Sequence, residues 1–251
     1  MAGRLVILSG PSCAGKSPLE RALGRYYPEV HAGLQRLVLY TSRGPRPGEI
    51  DGRDYHFRTA RQIGALDPED RFRVLEVRGD RQAIDLQELR ARLETGDVFF
   101  EGNPFVGSLL LSDSLVAGIA KLSVFLSPLS REEIIALREE VLRISLPDLV
   151  TELMRRKLLR RTRREKTELS AADLATIERR ASSAYSELQL AWRFQHVIAN
   201  HDGEDSDNWE ALGYPLGDAR RALRCFVSVL RGESPRCIEH WEEALLPAPS
   251  H

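Results

Sequence analysis

Short apolar runs and amphipathic stretches alternate along the chain. Leu5-Val6-Ile7-Leu8 is an unbroken aliphatic run ended by Ser9-Gly10-Pro11, the pattern of a strand buried on both faces of a parallel sheet. Similar runs recur at Leu37-Val38-Leu39, Val98-Phe99-Phe100, Val124-Phe125-Leu126 and His196-Val197-Ile198, which predicts five such strands. Between them, the spacing of Leu86, Leu89 and Leu93 predicts a helix that ends at Gly96. Strands alternating with helices predict an α/β fold, a doubly wound sheet that binds ligands at the carboxyl ends of its strands.

Helix formers dominate from Ser130 to Arg164. Ile134, Ile135, Leu137, Val141, Leu142 and Ile144 precede Pro147, and Leu149, Val150, Leu153, Met154 and Leu158 follow it, so Pro147 is expected to separate two helices. Ser170 to Phe194 reads as another long helix, opened by Ser170 and Asp173 in a variant of the capping box. From Pro247 onward the chain reads as a loose tail.

Composition adds bounds. The 251 residues suit one α/β domain with an insertion or a small satellite. With 36 Lys+Arg against 37 Asp+Glu, bulk charge argues neither for nor against a polyanionic partner, so charge must be read locally. The local exception is the basic block Arg155-Arg156-Lys157 and Arg160-Arg161-Thr162-Arg163-Arg164. No interleaved aromatics suit it to base stacking, so no nucleic-acid partner is expected. Cys13, Cys225 and Cys237 are too few and too scattered for a disulfide framework or a zinc cluster, which predicts a reduced, cytoplasmic setting. The opening apolar run is too short for a signal peptide or a membrane span, so no membrane partner is expected.

The chemistry begins at Gly10-Pro11-Ser12-Cys13-Ala14-Gly15-Lys16-Ser17, which fits G-x-x-x-x-G-K-[ST] after a buried strand and before a helical stretch. Glycines let backbone N–H groups point at phosphate, and the following helix N-terminus adds partial positive charge. Lys16 is placed to bridge the outer phosphates of ATP and Ser17 to ligate Mg²⁺. Pro18 follows in the first helical turn, where its missing N–H is tolerated.

After that loop comes Tyr40-Thr41-Ser42-Arg43-Gly44-Pro45-Arg46-Pro47-Gly48-Glu49-Ile50-Asp51-Gly52-Arg53-Asp54-Tyr55-His56-Phe57. This stretch resembles guanylate kinase. Fainter matches are Glu76 after an apolar run, Thr95-Gly96-Asp97 leading into Val98-Phe99-Phe100-Glu101, Phe125-Leu126-Ser127-Pro128, and Val197-Ile198-Ala199-Asn200-His201-Asp202. Together they span most of residues 4 to 231. The resemblance implies a P-loop nucleoside monophosphate kinase fold. Its parallel five-stranded core would comprise 1–33, 96–128 and 196–231, with an acceptor-binding subdomain over 34–95, a helical lid over 129–195 and a C-terminal extension over 232–251.

It also implies roles. Arg43, Arg46 and Tyr55 would grip the acceptor's phosphate, and Glu49, Glu101 and Asn103 are counted with them as substrate-binding residues. Glu76 would meet the guanine edge, Asn200 would lie near the adenine of ATP, and Glu101 would hold Mg²⁺ through water. A mobile lid would bring arginines to the moving phosphoryl group. Arg160, Arg161, Arg163, Arg164, Arg179 and Arg180 are candidates, and Lys16, Arg161, Arg164 and Arg180 are taken as the catalytic set.

The chain departs from the family pattern near the base. Leu39 stands where a base-contacting serine is expected, Gln82-Ala83-Ile84 where Tyr-Gly-Thr is expected, and Asn103 replaces a second strand-end aspartate. The acceptor phosphate is therefore better specified than the base. The expected reaction is ATP-dependent conversion of GMP to GDP by a monomer or homodimer. The alternatives are a kinase for another phosphorylated acceptor, such as a different nucleotide or a ribose phosphate, and a non-catalytic module that binds phosphorylated protein segments.

Overall fold

The computed structural model describes residues 3–46, 48–66, 71–139 and 145–247. In chain order the first elements are β1 (Leu5–Ser9), α1 (Lys16–Tyr26), α2 (Pro28–His31), β2 (Leu34–Arg36), β3 (Tyr40–Thr41) and β4 (His56–Phe57). Then come α3 (Ala60–Gly64), β5 (Phe72–Val77), β6 (Asp80–Asp85), α4 (Leu86–Thr95), β7 (Asp97–Gly102) and α5 (Pro104–Ser112). The chain continues with β8 (Lys121–Ser127), α6 (Arg131–Arg138), α7 (Leu146–Glu165), α8 (Ala171–Ser182), α9 (Ala184–Leu188), β9 (His196–Ala199) and α10 (Gly217–Leu230).

Five strands form a parallel sheet in the order β2-β7-β1-β8-β9. Every residue of β1 is buried, because a central strand of such a sheet is covered on both faces. Leu5 and Ile7 pack into one core with Phe100, Phe125, Val197 and the helices α7 to α9. Val6 and Leu8 feed the opposite core with Phe99, Val124, Ile198 and the apolar faces of α1 and α10. Burial of each such Leu, Ile or Phe contributes about 1.5–3 kcal/mol, so the two cores fix the strand ends from which the site is built.

The run Leu37-Val38-Leu39 is buried but is not the strand. The ladder pairs Leu34 with Asp97 and Arg36 with Phe99, and a last bond from Leu37 N reaches Phe99 O at 2.8 Å. Beyond it the chain leaves for a second sheet ordered β4-β3-β6-β5. The apolar run is the buried connector between two sheets, since hydrophobicity reports burial and not ladder pairing.

Pro147 stands between α6 and the body of the next helix as expected, in the first turn of α7, where Ser145 caps the helix, and the basic stretch lies within α7 itself. Val141, Leu142 and Ile144 lie outside the described residues. The segment expected as one helix from Ser170 to Phe194 divides into α8, α9 and a short 3₁₀ turn at Ala191–Arg193. The Ser182 hydroxyl bonds back to the Glu178 carbonyl at the break, a local competition typical of serine. Ser170 and Asp173 do form a capping box.

Cys225 and Cys237 are joined in a disulfide, so these cysteines are not too scattered to bridge, and the expectation of a reduced setting loses its basis. The turn after α10 brings the chain back, and Glu239 pairs with Val197 at the edge of the core sheet. Trp241, Leu245 and Leu246 are buried, and Tyr185 Oη donates to Pro247 O at 2.8 Å, so the extension is docked as far as Pro247. Residues 248–251 lie outside the described residues. No helix among the described residues is long and apolar enough to cross a membrane.

Candidate active site

The loop between β1 and α1 carries the first half of the site. Gly15, the N-cap of α1, has φ 98°, a left-handed conformation that glycine adopts without strain. A Cβ there would also lie 2.5 Å from Asn200 Nδ2. Lys16 is buried, and its Nζ donates to Gly10 O and Pro11 O, each at 2.8 Å. Burial pushes the Lys16 ammonium down, opposed by the carboxylates of Glu204, Glu101 and Glu187. Pro18 does not interrupt α1, and Leu19 N reaches Gly15 O at 3.0 Å. Cys13 is buried with φ 66°, and Ala14 is buried beside it.

Asn200 follows β9 and is fully buried. Its Nδ2 donates to Ala14 O at 2.8 Å and to Asp202 O at 2.7 Å. Asn200 therefore braces the loop backbone from behind.

The acceptor loop is organised by Glu49. Arg43 donates to both Glu49 oxygens at 2.6 Å, and the Arg46 backbone N–H donates to the same carboxylate at 2.7 Å. Burial alone would raise the Glu49 carboxyl, but Arg43 and the Arg46 amide outweigh it and hold the group below its ordinary value. The Arg43 guanidinium lies 4.8 Å from the Tyr55 ring centroid. The structure thus brings Arg43, Arg46, Glu49 and Tyr55 together.

Glu76 does not join them. In β5 its neighbour Leu75 packs on the core, and alternation sends Glu76 to the other face, where it is 72% exposed and 3.8 Å from Arg81. Two other carboxylates lie nearer the site, the fully buried Glu187 on α9 and the largely buried Glu101 near the end of β7. Glu187 is fully buried, and its Oε1 accepts from Arg78 Nε at 2.7 Å, Ser183 Oγ at 2.8 Å and Asn103 Nδ2 at 3.0 Å. Its Oε2 has no partner among the described residues. Asn103 has a second task, since its Oδ1 caps α5 by accepting from Phe105 N at 2.8 Å.

Arg78 and Glu187 escaped the sequence reading. A signal existed for Arg78: Arg78-Gly79 joins two six-residue strands, with φ of 55° and 83°, the two-residue hairpin turn that needs positive φ at both positions. Glu187 had none, because one glutamate in a helix is ordinarily solvated.

The arginines expected on a lid divide. Arg180 Nε donates to Ser12 Oγ at 3.0 Å, and burial, then the charges of Arg46, Arg78 and Arg161, push its guanidinium down to about 9. Arg161 bonds to Glu165 at 2.9 Å, and the carboxylate of Glu204 keeps it charged despite burial. Arg164 instead reaches Asp207 at 3.1 Å on the surface. Arg160 pairs with Asp205, and Arg179 reaches the Arg78 carbonyl.

Cations from the β1–α1 loop, the loop after β3, the β5–β6 hairpin and helices α7 and α8 therefore crowd one region. Such a cluster favours a multiply charged anion, and guanidinium forks match phosphate oxygens. Glu101 is largely buried, and desolvation raises its carboxyl, with Lys16 and Arg36 opposing the shift. Among the described residues no three carboxylate, histidine or cysteine side chains cluster as a protein-only metal site. Mg²⁺ needs none, since it keeps most of its waters and takes one or two protein oxygens besides phosphate. The Ser17 hydroxyl and the Glu101 carboxylate are oxygen donors of that kind.

The sequence matches the family described as guanylate kinase over residues 2–76. The guanylate kinase of Gloeobacter violaceus is 30% identical over 198 residues, 78% of this chain and 80% of that protein. That of Ruegeria sp. is 27% identical over 240 residues, 95% of this chain and 90% of that protein. That of Cereibacter sphaeroides is 36% identical over 134 residues, 53% of this chain and 61% of that protein. The matched part spans 61%, 47% and 62% of the guanylate kinases of C. sphaeroides, Shewanella denitrificans and Mycobacterium bovis. The crystal structure of guanylate kinase from Anaplasma phagocytophilum superposes with a TM-score of 0.53 at 16% identity, over 94% of this chain and 89% of that one, a likeness of fold.

Proposed function

The chain belongs to the guanylate kinase family, and from that premise we propose that it transfers the γ-phosphoryl group of ATP to GMP, giving ADP and GDP. The observation that carries the reading is the contact of the lid arginine Arg180 with Ser12 of the phosphate loop, beside Lys16, Arg46, Arg78 and Arg161.

In this reading the loop amides cradle the ATP phosphates, and Lys16 Nζ exchanges the Gly10 and Pro11 carbonyls for β- and γ-phosphate oxygens. Ser17, and Glu101 through water, would hold Mg²⁺, which when bound neutralises charge on those oxygens. Arg43, Arg46 and Tyr55 hold the acceptor phosphate in line, with Glu49 fixing both arginines before the acceptor arrives. Arg180 and Arg161 stabilise charge on the transferred group. Arg164 has no place at the reacting atoms. No covalent intermediate is needed.

A second reading, another phosphorylated acceptor, is favoured by the outward Glu76 and by the burial of Leu39 and Ile84. A pocket without the expected carboxylate would leave guanine N–H groups unpaired. The deciding experiment is ADP release from ATP and Mg²⁺ with a panel of nucleoside monophosphates and sugar phosphates, with Lys16→Ala as control. Preferred turnover of GMP supports the first reading, and preferred turnover of another acceptor supports the second. Absence of Lys16-dependent turnover on the whole panel would sink both.

A further inference from the structure

We propose that Glu204 is an internal competitor for the phosphate loop, whose carboxylate holds the Gly15 amide until the phosphates of ATP displace it. The inference rests on the reading of residues 10–17 as the nucleotide site. Glu204 Oε2 accepts from Gly15 N at 2.9 Å. In a loop of this type the backbone N–H groups are the phosphate donors, so a carboxylate oxygen and a phosphate oxygen compete for one hydrogen.

The competitor is charged. Burial would raise the Glu204 carboxyl, but Lys16, Arg161 and the Gly15 amide outweigh it and hold the group below its ordinary value. Lys16 and Arg161 are the cations that the proposed reaction assigns to phosphate, so Glu204 draws on the same charges as the nucleotide would.

The segment presenting Glu204 is built to lie on the loop. A Cβ at Gly203 would fall 2.1 Å from Cys13 O, so only glycine permits this approach. Asp202 Oδ1 accepts from Ser206 Oγ at 2.7 Å and Asn208 Nδ2 at 2.9 Å, and its Oδ2 accepts from Ala219 N at 3.0 Å in the first turn of α10. Trp209 Nε1 donates to Asp202 O at 2.9 Å and Gly203 O at 3.0 Å. These bonds hold the backbone of the turn and leave displacement to the Glu204 side chain.

The same turn is tied to the lid. Buried Asp205 lies 3.5 Å from Lys157 Nζ and 3.5 Å from Arg160 Nε, both on α7, and Lys157 Nζ also donates to His201 O at 2.5 Å. The helix that delivers Arg161 and the turn that delivers Glu204 therefore share an anchor. Displacement of Glu204 by phosphate replaces one negative charge near Arg161 with another, while Arg161 keeps its own bond to Glu165.

The test is equilibrium binding of a fluorescent ATP analogue with Mg²⁺ to the full chain, comparing wild type, Glu204→Gln and Lys16→Ala, with thermal melts to verify folding. Glu204→Gln keeps the side-chain shape and removes the charge. It is expected to bind the analogue about tenfold more tightly, the scale of one charge-assisted hydrogen bond. Equal or weaker binding by Glu204→Gln, while wild type binds in a Lys16-dependent manner, overturns the competitor alone. Absence of binding in both wild type and Glu204→Gln overturns the nucleotide reading and the competitor with it. If Glu204→Gln does not fold, Glu204→Asp shortens the reach of the carboxylate, and its affinity must exceed that of wild type for the proposal to stand.

Discussion

Arg180, near the end of α8, donates to the Ser12 hydroxyl 168 positions earlier in the chain. This bond places the α8 guanidinium against the β1–α1 loop among other cations. Arg180→Gln is expected to lower kcat at least about hundredfold, since an arginine on the transferred phosphoryl group is worth about 10³–10⁵ in rate. It should leave the unfolding midpoint equal or higher, because a buried like charge is removed. Steady-state kinetics beside denaturant unfolding checks both halves, and a fall in stability with kcat intact would make Arg180 a structural residue.

Glu49 connects the acceptor loop to pH. Its carboxyl is held below the ordinary value in the folded protein, so its contribution is fully present above the unfolded pKa, about 4.3. That contribution is lost as pH falls through the lower folded value. Glu49→Gln should therefore be less stable than wild type at neutral pH and equal to it once acid has protonated the group. The same variant should raise the KM for the acceptor about tenfold and leave that for ATP nearly unchanged. A stability difference that persists undiminished into strong acid would contradict this assignment.

Glu76 and Glu187 are predicted to behave oppositely. Glu187→Ala leaves the largely buried Arg78 without its carboxylate, with only the Ser183 hydroxyl remaining, and should cost up to about 3–5 kcal/mol, readable by urea unfolding. Glu76→Gln alters an exposed side chain and should change stability by less than about 0.5 kcal/mol and the acceptor KM by less than about twofold, an upper bound that follows from the same small energy. A large rise in acceptor KM for Glu76→Gln would restore Glu76 as a base-reading residue.

Removal of Mg²⁺ with a chelator should abolish turnover while leaving the melting temperature of the protein without nucleotide unchanged, because the described residues contain no protein-only metal cluster. Ser17→Ala should raise the Mg²⁺ concentration needed for half-maximal rate. An unchanged Mg²⁺ requirement in that variant would remove Ser17 from the metal's ligands.

What could be read from the chain alone was what lies within a few residues of itself. Leu5 to Leu8 announces a strand buried on both faces, and Gly10 to Ser17 announces the turn into α1 with glycine at its cap, because glycine freedom and helix start sit inside eight consecutive positions. The arginine loop around Glu49 is legible for the same reason.

Tertiary structure alone decided the rest. Period-two alternation gives Leu75 and Glu76 opposite faces, but only packing says which face is inner, and it sends Glu76 to solvent. Leu37 to Leu39 is apolar because it is buried, and only the ladder shows that it is a connector. Arg161, Arg164 and Arg180 are alike as residues in a basic helical segment. The fold turns Arg180 to Ser12, gives Arg161 a place beside Glu204 and leaves Arg164 on Asp207. Glu187 beside Asn103 and Glu204 on Gly15 were equally invisible, because a carboxylate's partner across 84 or 189 positions is chosen by how the layers close and not by any neighbour in the chain.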